Sequence, residues 1–363
     1  MRRKNSFDYL IFGLVVFLVA VGIVALASAS SDLAKAQLND ADYYVQHQLI
    51  YGLGVGIIGF LLGLWIPYKT YKSLAPVLLA LGIGFLLLTF TPLGFSAGGA
   101  TRWIAIAGIT IQPAEIMKVI LVIYLAALFS AGGAKRQKSF WQGFVPFITI
   151  SGIVSAVLFT QRSTSSVIIT LAAAGAVYFV SGARKRYVFY LIALVLAAVV
   201  ALVAVTPYRL ERVKTYLSPD RDTAGASYQI DRALITIGSG GLWGVGFGNS
   251  ISKKYLPERI GDSIFAIIAE EFGFVGATVL ISAFLVLVTR GYLAAKRLRD
   301  PFGKLLLTGF STLIGVQAFM HMGAISGIIP LTGVPLPFIS YGGTALVVFM
   351  TMSGIMLNVI RKA

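Results

Sequence analysis

This sequence has no cysteine, two histidines and only 14 carboxylates in 363 residues. Without cysteine there are no disulfides and no thiolate metal sites, and the redox compartment stays open. Two histidines do not supply a zinc site of the ordinary kind. Charge of either sign is scarce, at 12% of the chain against 57% hydrophobic residues, roughly half the usual charged share. Most of such a chain cannot face water. The formal charge of +16 could suggest nucleic acid, but no basic domain or clustered stripe exists to carry that binding. No internal repeat and no low-complexity tail is present either.

What is there is a series of apolar runs of about twenty residues, the length that crosses a hydrocarbon core of ~30 Å. The runs predict an all-α integral membrane protein of about ten transmembrane helices, over 8–30, 46–66, 74–92, 111–131, 142–160, 164–181, 186–206, 264–290, 304–327 and 341–360. Met1-Arg2-Arg3-Lys4 and the apolar stretch after it resemble a signal peptide. The stretch is longer than a signal core, so it is read as the first span. With the N-terminus inside, the cytoplasmic pieces hold eighteen Lys and Arg, and the short outer loops only Lys35, Arg102 and Arg162. That bias places both termini in the cytoplasm. The whole of 1–363 reads as one polytopic domain.

Residues 207–263, between the seventh and eighth spans, form one large extracytoplasmic loop. It is too long for a connector and too polar to span, and loops of that length are usually functional or disordered. The run from Gly238 to Gly248 looks like a flexible linker, yet its interleaved Leu242, Trp243, Val245 and Phe247 argue for packed structure. On the second span Gly52, Gly56, Gly59 and Gly63 give the small-residue spacing of close helix packing. Pro330, Pro335 and Pro337 predict a rigid extended segment before the last span.

Ionisable groups inside a bilayer are costly and usually paired or functional. Glu115 and Lys118 fall about 6 and 10 Å below the outer end of the fourth span, at ~1.5 Å per residue. Their i, i+3 spacing lets them pair, either as a structural salt bridge or as part of a site. Glu270 and Glu271 lie at similar depth on the eighth span and point about 100° apart, so they cannot share one job. At least one should bond a neighbouring helix or loop. His321 reads as a hydrogen-bonded packing residue. The inner halves of the spans carry almost no charge. A transporter needs polar groups through both leaflets, whereas an enzyme acting on a lipid-linked substrate at the outer surface needs them on one side, and the pattern favours the enzyme.

Several long motifs then stand in order along the chain: Thr101-Arg102-Trp103-Ile104 with Gln112-Pro113-Ala114-Glu115 and Lys118; Tyr228-Gln229; Gly246-Phe-Gly-Asn-Ser250; Tyr255-Leu-Pro-Glu258; Asp262-Ser-Ile-Phe-Ala266; Glu270-Glu271-Phe-Gly273; Gly327-Ile-Ile-Pro330; and Leu336-Pro-Phe-Ile-Ser-Tyr-Gly-Gly343. By these the chain resembles, along its whole length, the SEDS family (shape, elongation, division and sporulation). The segment from Tyr208 to Gln229 is closer to the division and sporulation branch, FtsW and SpoVE, than to RodA of elongation.

The resemblance implies a peptidoglycan glycosyltransferase of the bacterial cytoplasmic membrane, at the division septum for that branch. It would polymerise lipid II, with a class B penicillin-binding protein and other divisome or elongasome membrane proteins as partners and no nucleic acid. The alternatives are a lipid II flippase, a non-catalytic scaffold for the penicillin-binding protein, or a RodA-like elongation role. Asp262 matches the family's catalytic aspartate. From the residues alone, Asp262 or Ser263 could equally cap the eighth helix. Arg102, Lys118, Arg209 and Arg212 are candidates to meet the leaving pyrophosphate, and Glu115, Gln112, Glu258 and Ser340 complete the substrate-binding set. The sequence requires no cofactor. A divalent cation, Mg or Mn, bridging pyrophosphate and the Asp262 carboxylate is compatible with this chemistry.

Departures from the family pattern fall in four places. Gln161-Arg162-Ser163-Thr164-Ser165 lacks the acidic residue common there, so no role for that acid carries over. Gly261-Asp262-Ser263 keeps only the aspartate of its motif. Thr332 stands where many division members have Lys, and Thr344-Ala345 replaces a serine pair.

Overall fold

A computed structural model describes residues 7–97, 100–106, 109–132, 137–184, 186–187, 189–190, 193 and 226–362. Eight of its helices are long and apolar enough to cross a membrane, which makes the chain an integral membrane protein. They are α1 (Tyr9–Leu38), Tyr43–Trp65, α4 (Tyr68–Leu87, extended by a 3₁₀ turn to Phe90), α5 (Pro113–Ala131), Phe140–Thr160, α9 (Ile264–Arg297), α10 (Pro301–Ile325) and α11 (Gly343–Lys362). Tyr43–Trp65 is built from α2 (Tyr43–His47), a π turn and α3 (Val55–Trp65), and Phe140–Thr160 from a π turn and α6 (Val145–Thr160). The shorter apolar α7 (Thr164–Val180) packs among them. The expected span 186–206 lies almost wholly outside the described residues.

The all-α expectation needs one correction. A three-stranded antiparallel sheet, β1 (Gly94–Ala97), β2 (Ala100–Ile106) and β3 (Ile109–Ile111), fills the segment between α4 and α5 in the order β1-β2-β3. Its register pairs Phe95 with Trp103 and Ile104 with Ile111. The β-branched and aromatic residues of 101–111 suit a half-buried pleated surface. Hydropathy tuned to twenty-residue runs does not register strands this short.

The centre of the bundle is α10, which packs against α5, α7, α9 and α11. Its interior is polar for a buried helix, with Ser311, Gln317 and His321 all at most 1% exposed. Close contacts set the outer layers. A Cβ at Gly56, Gly59 or Gly63 would stand 2.5, 2.1 and 2.6 Å from atoms of Met350 or Thr351 on α11, so the glycine spacing on the second span does serve helix packing.

One helix is broken. In α9, Gly273 adopts φ 67°, ψ −167°, a conformation open to glycine alone among ordinary residues. The break strands backbone groups in the protein interior, where each needs a partner. The glycine-rich segment supplies them: Val245 and Gly246 donate to the carbonyls of Glu270 and Glu271 at 2.9 and 3.1 Å, and Phe274 and Val275 donate to those of Gly241 and Leu242 at 2.9 and 3.2 Å. The segment is packed structure, but through its backbone. Leu242, Trp243 and Phe247 stay more than half exposed. Ahead of it, α8 (Ala226–Ser239) lies along α9 with Ala233 and Thr236 fully buried.

Candidate active site

The approach to α9 is a tight turn. Glu258 has a left-handed backbone (φ 48°), and its carbonyl accepts from Gly261 and Ser263 at 3.0 and 3.1 Å. Ser263 holds the N-cap position but does not cap with its side chain. Its hydroxyl donates to the Pro257 carbonyl at 2.8 Å and accepts from Gln229 Nε2 of α8 at 3.2 Å. Asp262 is therefore not the residue at the cap position. Its half-buried carboxylate lines an open cleft of about 270 Å³ together with Gln229, His321, Thr332, Gly333 and Val334.

The far wall is the segment 331–335. Gly333 sits at φ 63°, and a Cβ there would lie 3.4 Å from Asp262 Oδ2, so bare backbone faces the carboxylate. The segment is bonded on every side. His321 Nδ1 meets the Val334 carbonyl at 2.8 Å, Thr332 Oγ1 donates to the Met320 carbonyl at 3.2 Å, and Ser165 Oγ donates to the Thr332 carbonyl at 2.5 Å. His321 thus bonds as a packing residue should. A carbonyl only accepts, so Nδ1 carries the proton, and the buried Nε2 is left without a protein partner.

Ser340 lies beside the cleft. Its hydroxyl accepts from Leu336 N and donates to the Gly261 carbonyl, both at 2.8 Å, and Tyr341 N donates to the Ile260 carbonyl at 2.9 Å. The proline-rich segment is thereby stitched to the residues next to Asp262. Burial and the nearby Tyr43 and Tyr44 push the Tyr341 phenol up to about 12, so it stays neutral near pH 7 and shares a 3.1 Å hydrogen bond with His47 Nδ1.

The remaining candidates occupy several places. Glu115 and Lys118 form a buried pair at 2.8 Å, 2% and 3% exposed, and the ammonium also donates to Gln317 Oε1 at 2.5 Å. Arg102 on β2 donates to the carbonyls of Gln161 and Arg162 at 3.3 and 2.5 Å, tying the sheet to the α6–α7 turn. Gln112 precedes α5, and its backbone N–H donates to Thr344 Oγ1 at 3.2 Å. Glu258 is exposed on its turn. Arg209 and Arg212 lie outside the described residues.

Both deeper carboxylates of α9 bond neighbours. Glu270 accepts from Ser239 at 3.1 Å, from Ser252 at 2.8 Å and from Ser250, while Glu271 accepts from Ser28 of α1. Arg259, three residues before Asp262, is buried and donates to the Lys253 carbonyl at 3.1 Å. Burial holds its guanidinium below the ordinary arginine value, with Asp32 and Tyr44 opposing that shift.

Sequence reasoning did not select Gln229, Gly333 or Gln317 as site residues. Gln229 and Gly333 reach the cleft only because α8 and the proline-rich segment fold against the start of α9. Among the described residues no three His, Asp or Glu side chains gather as a metal cage. A divalent cation still fits in one form. Magnesium is commonly held by one or two carboxylates and completed by substrate phosphates and water, and Asp262 supplies one carboxylate at an open cleft.

A bundle of apolar helices with a carboxylate-lined cleft where an irregular segment enters one of them defines a polytopic membrane protein with an enzyme-like pocket. The chain belongs to the FtsW/RodA/SpoVE family of cell cycle proteins, whose model matches residues 8–363. It is 36% identical to a probable peptidoglycan glycosyltransferase FtsW of Geobacter sp. (strain M18), covering 99% of this chain and 98% of the relative. It is 33% identical to the stage V sporulation protein E of Bacillus subtilis, again over 99% and 98%. Among solved structures it is similar to a chain from work on the structural coordination of polymerization and crosslinking by a peptidoglycan synthase complex, with TM-score 0.81 and 27% identity over 98% of both chains. The rod shape determining protein RodA of Thermus thermophilus matches with TM-score 0.72 and 25% identity, over 98% of this chain and 97% of that one.

Proposed function

We propose that this protein is a peptidoglycan glycosyltransferase that polymerises lipid II into glycan strands at the outer face of the bacterial cytoplasmic membrane, for septal wall synthesis. The observation that carries the reading is the placement of Asp262 at the cleft between the 258–263 turn and bare backbone at Gly333. Supporting it are the names of the full-length relatives, FtsW among them. The positive-inside bias orients that end outward, with both termini in the cytoplasm and 207–263 as the large outer loop.

The reaction forms a bond from a sugar hydroxyl oxygen to an anomeric carbon and breaks the bond from that carbon to the pyrophosphate. The hydroxyl is a weak nucleophile, so its proton must leave as bonding develops. Asp262 accepts that proton as general base, an effect typically worth 10²–10⁴-fold. When a divalent cation is bound, Asp262 holds it and it neutralises charge on the departing pyrophosphate. Arg102, Arg209 and Arg212 are the cations proposed to steer the pyrophosphate. Gln112 and Glu258 are proposed to contact substrate from the loops around the cleft. Ser340, with both its hydrogen bonds on backbone, keeps Gly261 and hence Asp262 in place. For Lys118, the bonds to Glu115 and Gln317 favour the structural ion pair over direct contact with substrate. The likeness to a chain of a synthase complex that couples polymerization to crosslinking supports a class B penicillin-binding protein as partner.

The test is glycan-strand synthesis from labelled lipid II in proteoliposomes, with the cognate penicillin-binding protein and a divalent cation. Wild type should make polymer, and a folded, partner-bound Asp262→Asn variant should make at least ~100-fold less. Equal polymer from both would remove Asp262 from the mechanism. No polymer from wild type, together with translocation of lipid II, would replace the reading by a flippase.

A further inference from the structure

Beneath the cleft wall, one fully buried amide joins two parts of the molecule. Gln317, in the middle of α10, is 0% exposed. Its Oε1 accepts from the Lys118 ammonium at 2.5 Å, and its Nε2 donates to the Pro335 carbonyl at 3.0 Å. The amide has only one way round here, because an ammonium only donates and a carbonyl only accepts. Both arms are charge-assisted or buried, where hydrogen bonds are strongest and missing ones cost most. On the α5 side, Glu115 Oε2 has no partner, so Lys118 has few alternatives if Gln317 is lost. On the other side, Pro335 is two residues from Gly333, the backbone that faces Asp262. One turn along α10, His321 bonds the next carbonyl, that of Val334. Gln317 and His321 therefore grip consecutive carbonyls of the wall from one helix face.

We propose that Gln317 is a positioning residue which couples the buried Glu115–Lys118 pair to the 331–335 wall and so sets the space at the Asp262 carboxylate. This rests on the polymerase reading for its kinetic consequence, though not for its structural one. Neither Gln317 nor Lys118 needs to touch substrate. A shift of the wall by a fraction of an ångström alters the fit of a reacting hydroxyl against Asp262, and misplacements near 1 Å can cost about 10²-fold in rate.

The experiment compares Gln317→Leu, Gln317→Glu, Lys118→Met and the Lys118→Met/Gln317→Leu double variant, as full chains in proteoliposomes with the penicillin-binding protein. Gln317→Glu keeps the volume and the Lys118 arm while setting a carboxylate oxygen against the Pro335 carbonyl, and it carries the test if Gln317→Leu does not fold. Each Gln317 variant should lower kcat on lipid II by about tenfold or more and leave KM within about twofold, since bound substrate contacts are untouched. The double variant should be no worse than the worse single, as expected for residues acting as one unit.

A second readout is independent of activity. The chain has no cysteine, so Thr332→Cys gives a lone thiol on the wall. Its maleimide labelling should quicken about fivefold on Gln317→Leu or Gln317→Glu, the factor for one net hydrogen bond. Unchanged labelling with full kcat would overturn the proposal. So would a raised KM for Lys118→Met with losses that multiply in the double variant, because that pattern places Lys118 on the substrate. If wild type makes no polymer, the polymerase reading fails by itself, and the labelling arm still decides whether Gln317 holds the wall.

Discussion

Helix α9 carries acidic side chains in two settings less than ten residues apart. At its entry, Asp262 is half-buried on the wall of a cleft. Deeper, Glu270 and Glu271 are 3% and 1% exposed, and Glu270 is surrounded by the hydroxyls of Ser239, Ser250 and Ser252. The chemical groups are alike and the helix is the same. A carboxylate engaged by three protein donors has little capacity left for a ligand, and its job is to hold the glycine-rich segment over the break at Gly273. A carboxylate that opens on a cleft, in a turn braced by Ser340 and Gln229 around it, can exchange a proton with something that arrives from outside. Burial of charge by itself does not distinguish function from structure, but the set of donors around it does.

That contrast can be broken by substitution. The largest effect is expected from Asp262→Asn, which should cost at least ~100-fold in polymer formation while leaving the thermal midpoint within a degree or two of wild type. Loss of fold instead would move Asp262 to the structural side. Glu270→Ala should do the reverse. It leaves buried serine hydroxyls without their acceptor, each costing ~1–3 kcal/mol, and the thermal midpoint of the detergent-solubilised chain should fall by several degrees. Gly273→Ala forces a side chain into a left-handed backbone, and its Cβ would stand 2.3 Å from Gly244 N. A loss of folded yield comparable to that of Glu270→Ala is expected, and a normal yield would show that α9 can heal its break.

Two smaller effects sharpen the comparison. Chelation of divalent cations should lower polymerisation without moving the thermal midpoint of the substrate-free protein, because a cation shared with pyrophosphate adds nothing to the empty fold. A clear drop in midpoint would reveal a resident structural metal. Ser340→Ala removes one hydroxyl bridging Leu336 N and the Gly261 carbonyl, worth about 1 kcal/mol. Polymerisation should fall several-fold, mostly in kcat, and an equal fall in substrate affinity would mean that Ser340 touches lipid II after all.

Much of this was readable from residues alone, and for identifiable reasons. Spans are set by hydropathy over about twenty residues, so the helices α1, α5, α10 and α11 lie close to their expected places. Boundaries moved where hydropathy says little: α4 begins at Tyr68 rather than 74, because Lys69 and Lys72 sit on the helix while depressing its apolar score. The Glu115–Lys118 contact followed from i, i+3 spacing. The sheet at 94–111 did not, since its strands are short and its apolar residues read equally as interfacial loop. Nor did the capping alternative for Asp262 yield to spacing. It took the bonds of Ser263 to Pro257 and Gln229 to separate the two adjacent residues.

What the sequence determined by itself was everything that follows from local composition: insertion in a membrane, the helical spans, the asymmetry of charge between the two ends, the motifs of the family, and Asp262 as the acid to watch. Those properties are additive along a chain, so one dimension suffices to read them. Only the tertiary structure decided which polar groups meet. Gln317 lies 199 residues from the lysine it bonds, and Ser340 lies 79 residues from the carbonyl it holds. Gly333 reaches Asp262 only because α10 turns the chain back over the start of α9. No local pattern encodes those pairings. They arise because, once the helices are packed, each buried donor and acceptor has to find a partner among whatever the fold has brought near it.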